Sequence, residues 1–381
     1  MKFFIIINLI LLTFSVAKIS YGSEEHDHDH SAHSDEPFYG HVGIRIHMDH
    51  VSDSDEGSEN INEVYTHSHI ELGSQIAEGF NIDTNLKIEG EPAGHAHGGV
   101  NRTADGNSRF LEDHPLIVES LTLTYSNEDF ALYLGKFNPT VGFNYHNFPG
   151  LYSYSMVEEY KIAERIGLGI KYSVNFEDFG THQINVSSFF ADTTFLSDAL
   201  IDQRGHTSKE DGGLANTEDL DSYAISIGGK DFYSLDNNIV ERLSYRVGYA
   251  LQKKGSTNDN DETRYSISLS YKENFINQIS KTLIFEFMEI NHYDGEAAHD
   301  RSYFTSSLGL KLYPWSFDTS YQFIDNDATE EDEGADGKIL QISVGYNFSN
   351  KTQLTFGFKR ADEELEVTER FGLGLRHAFE L

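Results

Sequence analysis

Histidine is the residue whose type and spacing first point to chemistry in this chain. His26, His28, His30 and His33 alternate with Glu25, Asp27 and Asp29, and His95 and His97 recur in a glycine-rich stretch. Imidazole is the common ligand for Zn²⁺, Cu²⁺ and Ni²⁺, and a mobile segment wraps one ion with several imidazoles while carboxylates complete the shell. A tail without preformed geometry binds modestly and selects poorly among metals. The plainer reading is a polar spacer that meets metal only incidentally, and no cofactor is required. His47, His67 and His69 form a second histidine group, whose meeting depends on strand register. Nucleophilic and redox chemistry have less to work with. The chain has no cysteine, which removes disulfides, thiolate metal sites and cysteine nucleophiles.

Charge narrows the partners. The chain carries 28 basic against 62 acidic side chains, a formal net charge of -34, and this balance repels phosphate, so no nucleic-acid partner is expected. The acidic excess is concentrated in Asp53, Asp55, Glu56 and Glu59, in Glu330, Glu331, Asp332, Glu333 and Asp336, and in Asp362, Glu363, Glu364 and Glu366. Such clusters are either solvated tips or places where Ca²⁺ or Mg²⁺ bridges to a phosphate-bearing lipid surface.

The N-terminus reads as an export signal. Lys2 precedes an apolar run over residues 3–14, too short to span a bilayer as a helix, and Ser20 and Gly22 supply small residues at a cleavage site. The expected domains are therefore a signal peptide over 1–22, a His/Asp-rich flexible periplasmic tail over 23–36, and one folded body over 37–381.

That body alternates with a period of two. Leu340, Ile342, Val344, Tyr346 and Phe348 are interleaved with Gln341, Ser343, Gly345 and Asn347. Tyr265, Ile267, Leu269 and Tyr271 are interleaved with serines, and Phe371, Leu373, Leu375 and Phe379 share a face opposite Arg370, Gly372, Gly374 and Arg376. A polar face of Ser, Gly, Asn and Thr suits a wet lumen better than a bulk-water surface. About sixteen strands follow, over 38–51, 62–75, 80–90, 114–126, 129–137, 161–175, 180–193, 220–231, 238–253, 262–273, 278–292, 302–313, 316–326, 338–348, 351–360 and 367–381. Tight turns alternate with longer acidic loops, the layout of an outer-membrane barrel with periplasmic turns and extracellular loops. Aromatics at the turn ends, among them Tyr125, Phe130, Tyr172, Tyr313, Trp315 and Phe348, suit an interfacial girdle. The segment 278–292 alternates poorly, because Ile284 and Met288 fall beside Glu286 on the lumen face.

The expected fold is therefore all-β, a transmembrane antiparallel barrel of about sixteen strands in a bacterial outer membrane. A barrel enzyme fits poorly. The chain has no G-x-S-x-G elbow, and His67-Ser68-His69 lacks an orienting partner, so no enzymatic activity is expected.

One stretch carries a resemblance. Leu134-Gly135-Lys136-Phe137-Asn138-Pro139-Thr140-Val141-Gly142-Phe143 runs on through His146 and Pro149-Gly150-Leu151-Tyr152 to Glu158-Glu159-Tyr160 and Gly167-Leu168-Gly169. It resembles the strand-to-loop pattern of Gram-negative outer-membrane porins, particularly porin O/P-like ones, closely over about forty residues. The resemblance implies an inward-folded third loop that narrows the channel, usually in a homotrimer set among outer-membrane lipid and lipopolysaccharide. A dense lysine ladder is missing, so phosphate selectivity is not carried over, and Leu381 departs from the usual aromatic C-terminus.

Parity assigns the lumen. With Val42, Ile44 and Ile46 towards lipid, His41, Gly43, Arg45 and His47 point inward; with Ile70 and Leu72 outward, so do Tyr65, His67, His69 and Glu71. Arg242 and Arg246 also point inward. Barrel closure places Arg45 near Arg370 and Arg376, and the third loop offers His146, Glu158 and Glu159. A basic wall facing an acidic loop sets up a transverse field that orients dipolar solutes. The function this implies is a water-filled channel for passive or weakly selective diffusion of small hydrophilic solutes. The alternative is an uptake barrel for divalent metals or their chelates, using the histidine-rich tail and second loop.

Overall fold

The structure, a computed structural model, describes residues 38–54, 61–90, 108–112, 114–176, 179–201, 204–232, 242–275, 279–328, 335–363 and 366–380. The expected signal peptide and tail, His95 and His97, and the acidic residues Asp55, Glu56, Glu59, Glu330, Glu331, Asp332, Glu333 and Glu364 lie outside them.

Alternation of apolar and polar residues builds a closed antiparallel barrel of sixteen strands. The first half holds β1 (Phe38–Ser54), β2 (Asn62–Ala77), β3 (Phe80–Glu89), β4 (Leu116–Ser126), β5 (Phe130–Phe137), β6 (Arg165–Phe176), β7 (Gly180–Ala191) and β8 (Ser222–Lys230). The second holds β9 (Leu243–Gln252), β10 (Glu262–Phe275), β11 (Ile279–Asn291), β12 (His299–Leu312), β13 (Trp315–Ala328), β14 (Gly337–Asn347), β15 (Thr352–Glu363) and β16 (Glu366–Glu380). Each strand pairs with its sequence neighbours, and β1 closes the ring against β16, from His41 opposite Glu380 to Ser54 opposite Thr368. A short segment, Arg109–Phe110, adds parallel pairing at the start of β2. Closure leaves no unpaired strand edge, the condition for a sheet in hydrocarbon.

One strand start, that of β6, falls four residues later than the sequence reading. Residues 161–164 belong to the third loop rather than to β6, because Lys161 is drawn into an ion pair with Glu286, and Glu164 into pairs with Lys136 and Arg204 at 2.8 and 2.9 Å.

The two faces of the barrel are distinct. Ile267 is 61 % exposed while its neighbours Ser266 and Ser268 are 1 % exposed. Leu134, Leu168, Val247, Phe304, Ile342, Phe356 and Leu375 continue the outward apolar belt. At the turn ends the rings of Phe80, Tyr125 and Phe130 touch in sequence, and Trp315, Tyr346 and Phe348 meet edge-on, forming the aromatic girdle.

The inner face is not uniformly wet, and this corrects the sequence reading. The third loop, residues 138–164, enters the barrel and docks on β9–β15, carrying the short helix α1 (Ser153–Glu158). Ser266 donates to the Val141 carbonyl at 2.7 Å, Gln322 to the Met156 carbonyl at 2.9 Å, and the Leu151 amide donates to Ser343 at 3.2 Å. The small polar residues of β10, β13 and β14 therefore satisfy loop backbone that would otherwise be buried unpaired. Between these bonds the loop buries Tyr154, Met156, Val157 and Tyr160 against Ile284, Met288, Ile290, Tyr303, Ile324 and Ile339. Each such side chain contributes about 1.5–3 kcal/mol by leaving water. The poor alternation of β11 has its cause here: Ile284 and Met288 face inward because they form the bed for the loop. Gly357 and Gly374 make room for it, since a Cβ on either would run into Leu151.

Candidate channel constriction

The third loop occupies the β9–β15 side, and the wall formed by β16, β1, β2, β3 and β4 faces it across a cavity of about 60 Å³, room for a few water molecules. Arg376 and Arg45 line it from β16 and β1, His67, His69 and Glu71 from β2, Asn85 and Lys87 from β3, Glu119 from β4, and Tyr145 and His146 from the loop. Strand pairing brings the wall residues together. Arg45 is the Cα partner of Arg376, and His69 is the partner of Lys87.

Six of the residues expected in the lumen thus meet at the constriction: Arg45, His67, His69, Glu71, His146 and Arg376. The others are placed elsewhere. His47 is buried behind the wall, stacked on Tyr65 at 5.0 Å and edge-on to Tyr154 at 6.1 Å. The second histidine group therefore divides, and it is His146, with ring centroids 6.4 Å from His67 and 6.5 Å from His69, that joins the other two. Arg370 is an anchor rather than a lining residue. It pairs with Asp49 at 3.2 Å and Glu63 at 3.3 Å, while the Tyr65 and Tyr152 hydroxyls each donate to Asp49 at 3.0 Å. Arg246 donates to the Gly142 carbonyl at 3.3 Å beneath the loop. Arg242 pairs with Glu273 near the turn end of β9 and β10, away from the constriction.

The expected field is also rearranged. Glu158 does not oppose the arginines, because it accepts from Lys87 at 2.8 Å. Glu159 accepts from the Tyr303 hydroxyl at 3.1 Å and lies 3.6 Å from Arg301. Both loop carboxylates are thereby drawn to wall cations that parity did not single out. The carboxylates that line the cavity are instead Glu71 and Glu119, the latter accepting from the Tyr145 hydroxyl at 3.0 Å and from Asn138 at 3.2 Å. The constriction thus has an arginine pair on one flank and a hydrogen-bonded carboxylate on another.

Lys87 ties wall and loop together. It is buried, and its ammonium lies between Glu158 and Glu89. Glu89 also contacts His67 Nδ1, the cross-strand partner pair of β2 and β3. Lys87, Asn85 and Glu89 were legible in principle, since Asn81, Asp83, Asn85, Lys87 and Glu89 alternate with Ile82, Leu86 and Ile88 along β3. Glu119 carried no such signal, because the register shifts between Asn85 and Leu86 where β3 meets β4.

No known family profile and no curated protein matches the sequence. Solved structures do match in fold. The outer membrane channel DcaP of Acinetobacter baumannii aligns with a TM-score of 0.52 at 12% identity, over 90% of this chain and 96% of that one. A mutant of the Rh. blastica porin aligns with a TM-score of 0.51 at 14% identity, over 90% of this chain and 100% of that one. A loop L8 deletion mutant of OmpT, an outer membrane protein of Vibrio cholerae, gives 0.50 at 12% identity, over 90% and 99%. With its lipid-facing belt, closed ring and inward loop, this chain is a sixteen-stranded outer-membrane β-barrel with the fold of the porins.

Proposed function

We propose that the protein is a narrow, passive channel for small hydrophilic solutes, without enzymatic activity, and that its selectivity is set at the constriction. The observation that carries this reading is the cavity between loop and wall, which is lined by Arg45, Arg376, Lys87 and Glu119 rather than by apolar side chains. Charged groups around a narrow aqueous passage favour solutes that present opposite charge or a dipole. The small opening left beside the loop favours solutes of few heavy atoms. The residues of the metal-uptake alternative in the tail and second loop fall outside those described, so this reading rests on the channel wall alone.

The same reading takes the barrel as a homotrimer among lipopolysaccharide. Acidic side chains at the extracellular ends of β14 and β15, such as Asp336 and Asp362, would bridge to lipid phosphates through Ca²⁺ or Mg²⁺.

Swelling of liposomes containing the purified protein in sugars and amino acids of graded size tests the proposal. Uptake should fall steeply with solute size, and zwitterionic amino acids should enter faster than neutral sugars of equal mass. Swelling no faster than in protein-free liposomes would contradict a channel.

A further inference from the structure

Where α1 meets the wall, three ligating side chains converge from separate elements. His67 comes from β2, Glu89 from β3 and Glu158 from the third loop, and their ligand atoms all lie within 4.8 Å of one another. We propose that these residues form a site for a first-row divalent cation such as Zn²⁺, and that the bound ion clamps the third loop to the wall and reduces flow through the channel. The proposal rests on the channel reading for its conductance readout, although not for the binding itself.

Three observations carry it. The first is distance. A zinc ion holds nitrogen and oxygen ligands at roughly 2.0–2.2 Å, so donors around one ion stand roughly 3–3.5 Å apart. His67 Nδ1 and Glu89 are in direct contact and part slightly to admit an ion, while the Glu158 carboxylate closes on them. The second is charge. Glu89 and Glu158 together already hold a cation at this point, the Lys87 ammonium, which pairs with both. Two carboxylates with a neutral imidazole suit a divalent ion of borderline character, and Lys87 is the cation it must displace. The third is access. His67 is 3 % exposed overall, yet it lines the cavity together with Lys87, so an ion arrives from the aqueous passage and keeps a coordination position for water. His146 stands beside His67 on the loop and adds a further imidazole to the approach.

Because Glu158 moves with the loop while His67 and Glu89 belong to the wall, a bound ion joins two parts that Lys87 now joins by a single ion-paired ammonium. Metal and lysine compete for the same carboxylates. The lysine is therefore a brake on affinity, and its removal strengthens binding, a behaviour that an adventitious surface ion would not show.

Single-channel recording of the full chain in planar bilayers, with ZnCl₂ added and MgCl₂ as control, decides the matter when block is expressed relative to each variant's own zinc-free conductance. Zinc should block saturably and magnesium should not. His67→Asn and Glu89→Gln should each raise the half-blocking concentration about ten-fold or more, and Lys87→Met should lower it by about ten-fold. Openings indifferent to millimolar zinc, or block that is unchanged in His67→Asn and Glu89→Gln, would overturn the site. A barrel that never opens in zinc-free buffer would count against the channel reading instead. Equilibrium zinc binding to the native chain and to His67→Asn then decides the site, with loss of one bound equivalent expected and an unchanged stoichiometry overturning it.

Discussion

Arg45 on β1 and Arg376 on β16 stand directly opposite one another across the seam that closes the barrel. Like charges in cross-strand register oppose pairing, so the two guanidiniums do not serve the seam. Both line the constriction, where together they raise the local positive potential. Replacing both with alanine should move the reversal potential in a KCl gradient towards cation selectivity, with a larger shift than either single change. An unchanged reversal potential would show that ions do not pass between these side chains.

The anchor of the third loop is Glu286, which is 1 % exposed and accepts from the Phe143 amide at 2.7 Å, from Ser268 at 2.6 Å and from Lys161. Glu286→Ala leaves the Lys161 charge buried without that partner, a loss of about 3–5 kcal/mol. The loop should loosen, conductance should rise, and the folded band on heat-modifiability gels should melt at lower temperature. The double change Lys161→Met with Glu286→Leu should recover much of the thermal stability.

Leu151 packs on two glycines, Gly357 and Gly374. Gly374→Val should overpack this contact at a cost of about 1–3 kcal/mol and lift the loop. Single-channel conductance should change for this variant, and it should not for Leu373→Val on the lipid-facing side of the same strand.

Glu164 supplies a pH dependence. Burial alone would raise its pKa, but Arg204 and Lys136 beside it outweigh burial and hold the carboxyl below the usual range. Its folded pKa being depressed, the stabilisation is fully present above the ordinary carboxylate pKa and is lost as pH falls through the folded value. The melting-temperature gap between the native chain and Glu164→Gln should therefore be wide at neutral pH and close in acid. A gap that widens in acid would reverse the sign of this account.

Period-two alternation made the strands legible because a barrel wall has two solvents, lipid outside and polar groups inside, and every second residue must suit one of them. The same rule misled at Ser266 and Ser343, where small polar residues face a docked loop rather than water. Glycine and serine suit both environments, so composition alone does not separate them. Ile284 and Met288 were the visible trace of that docking, since two large apolar side chains on a lumen face need a partner. Register decided the histidines. His67 and His69 reach the cavity while His47 lies behind Tyr65 and Tyr154, a difference that parity within one strand does not encode. The fates of Glu158 and Glu159 depended on the course of the third loop, which a pattern of turn residues does not trace.

The conductance and selectivity predicted above each require an aqueous passage beside the docked third loop. Recording current across a planar bilayer containing the purified chain in metal-free KCl tests it most directly. Discrete, uniform openings of small unit conductance, larger in Glu286→Ala, are the result expected. A membrane that holds folded barrel and shows no stepwise current in either form would contradict the account.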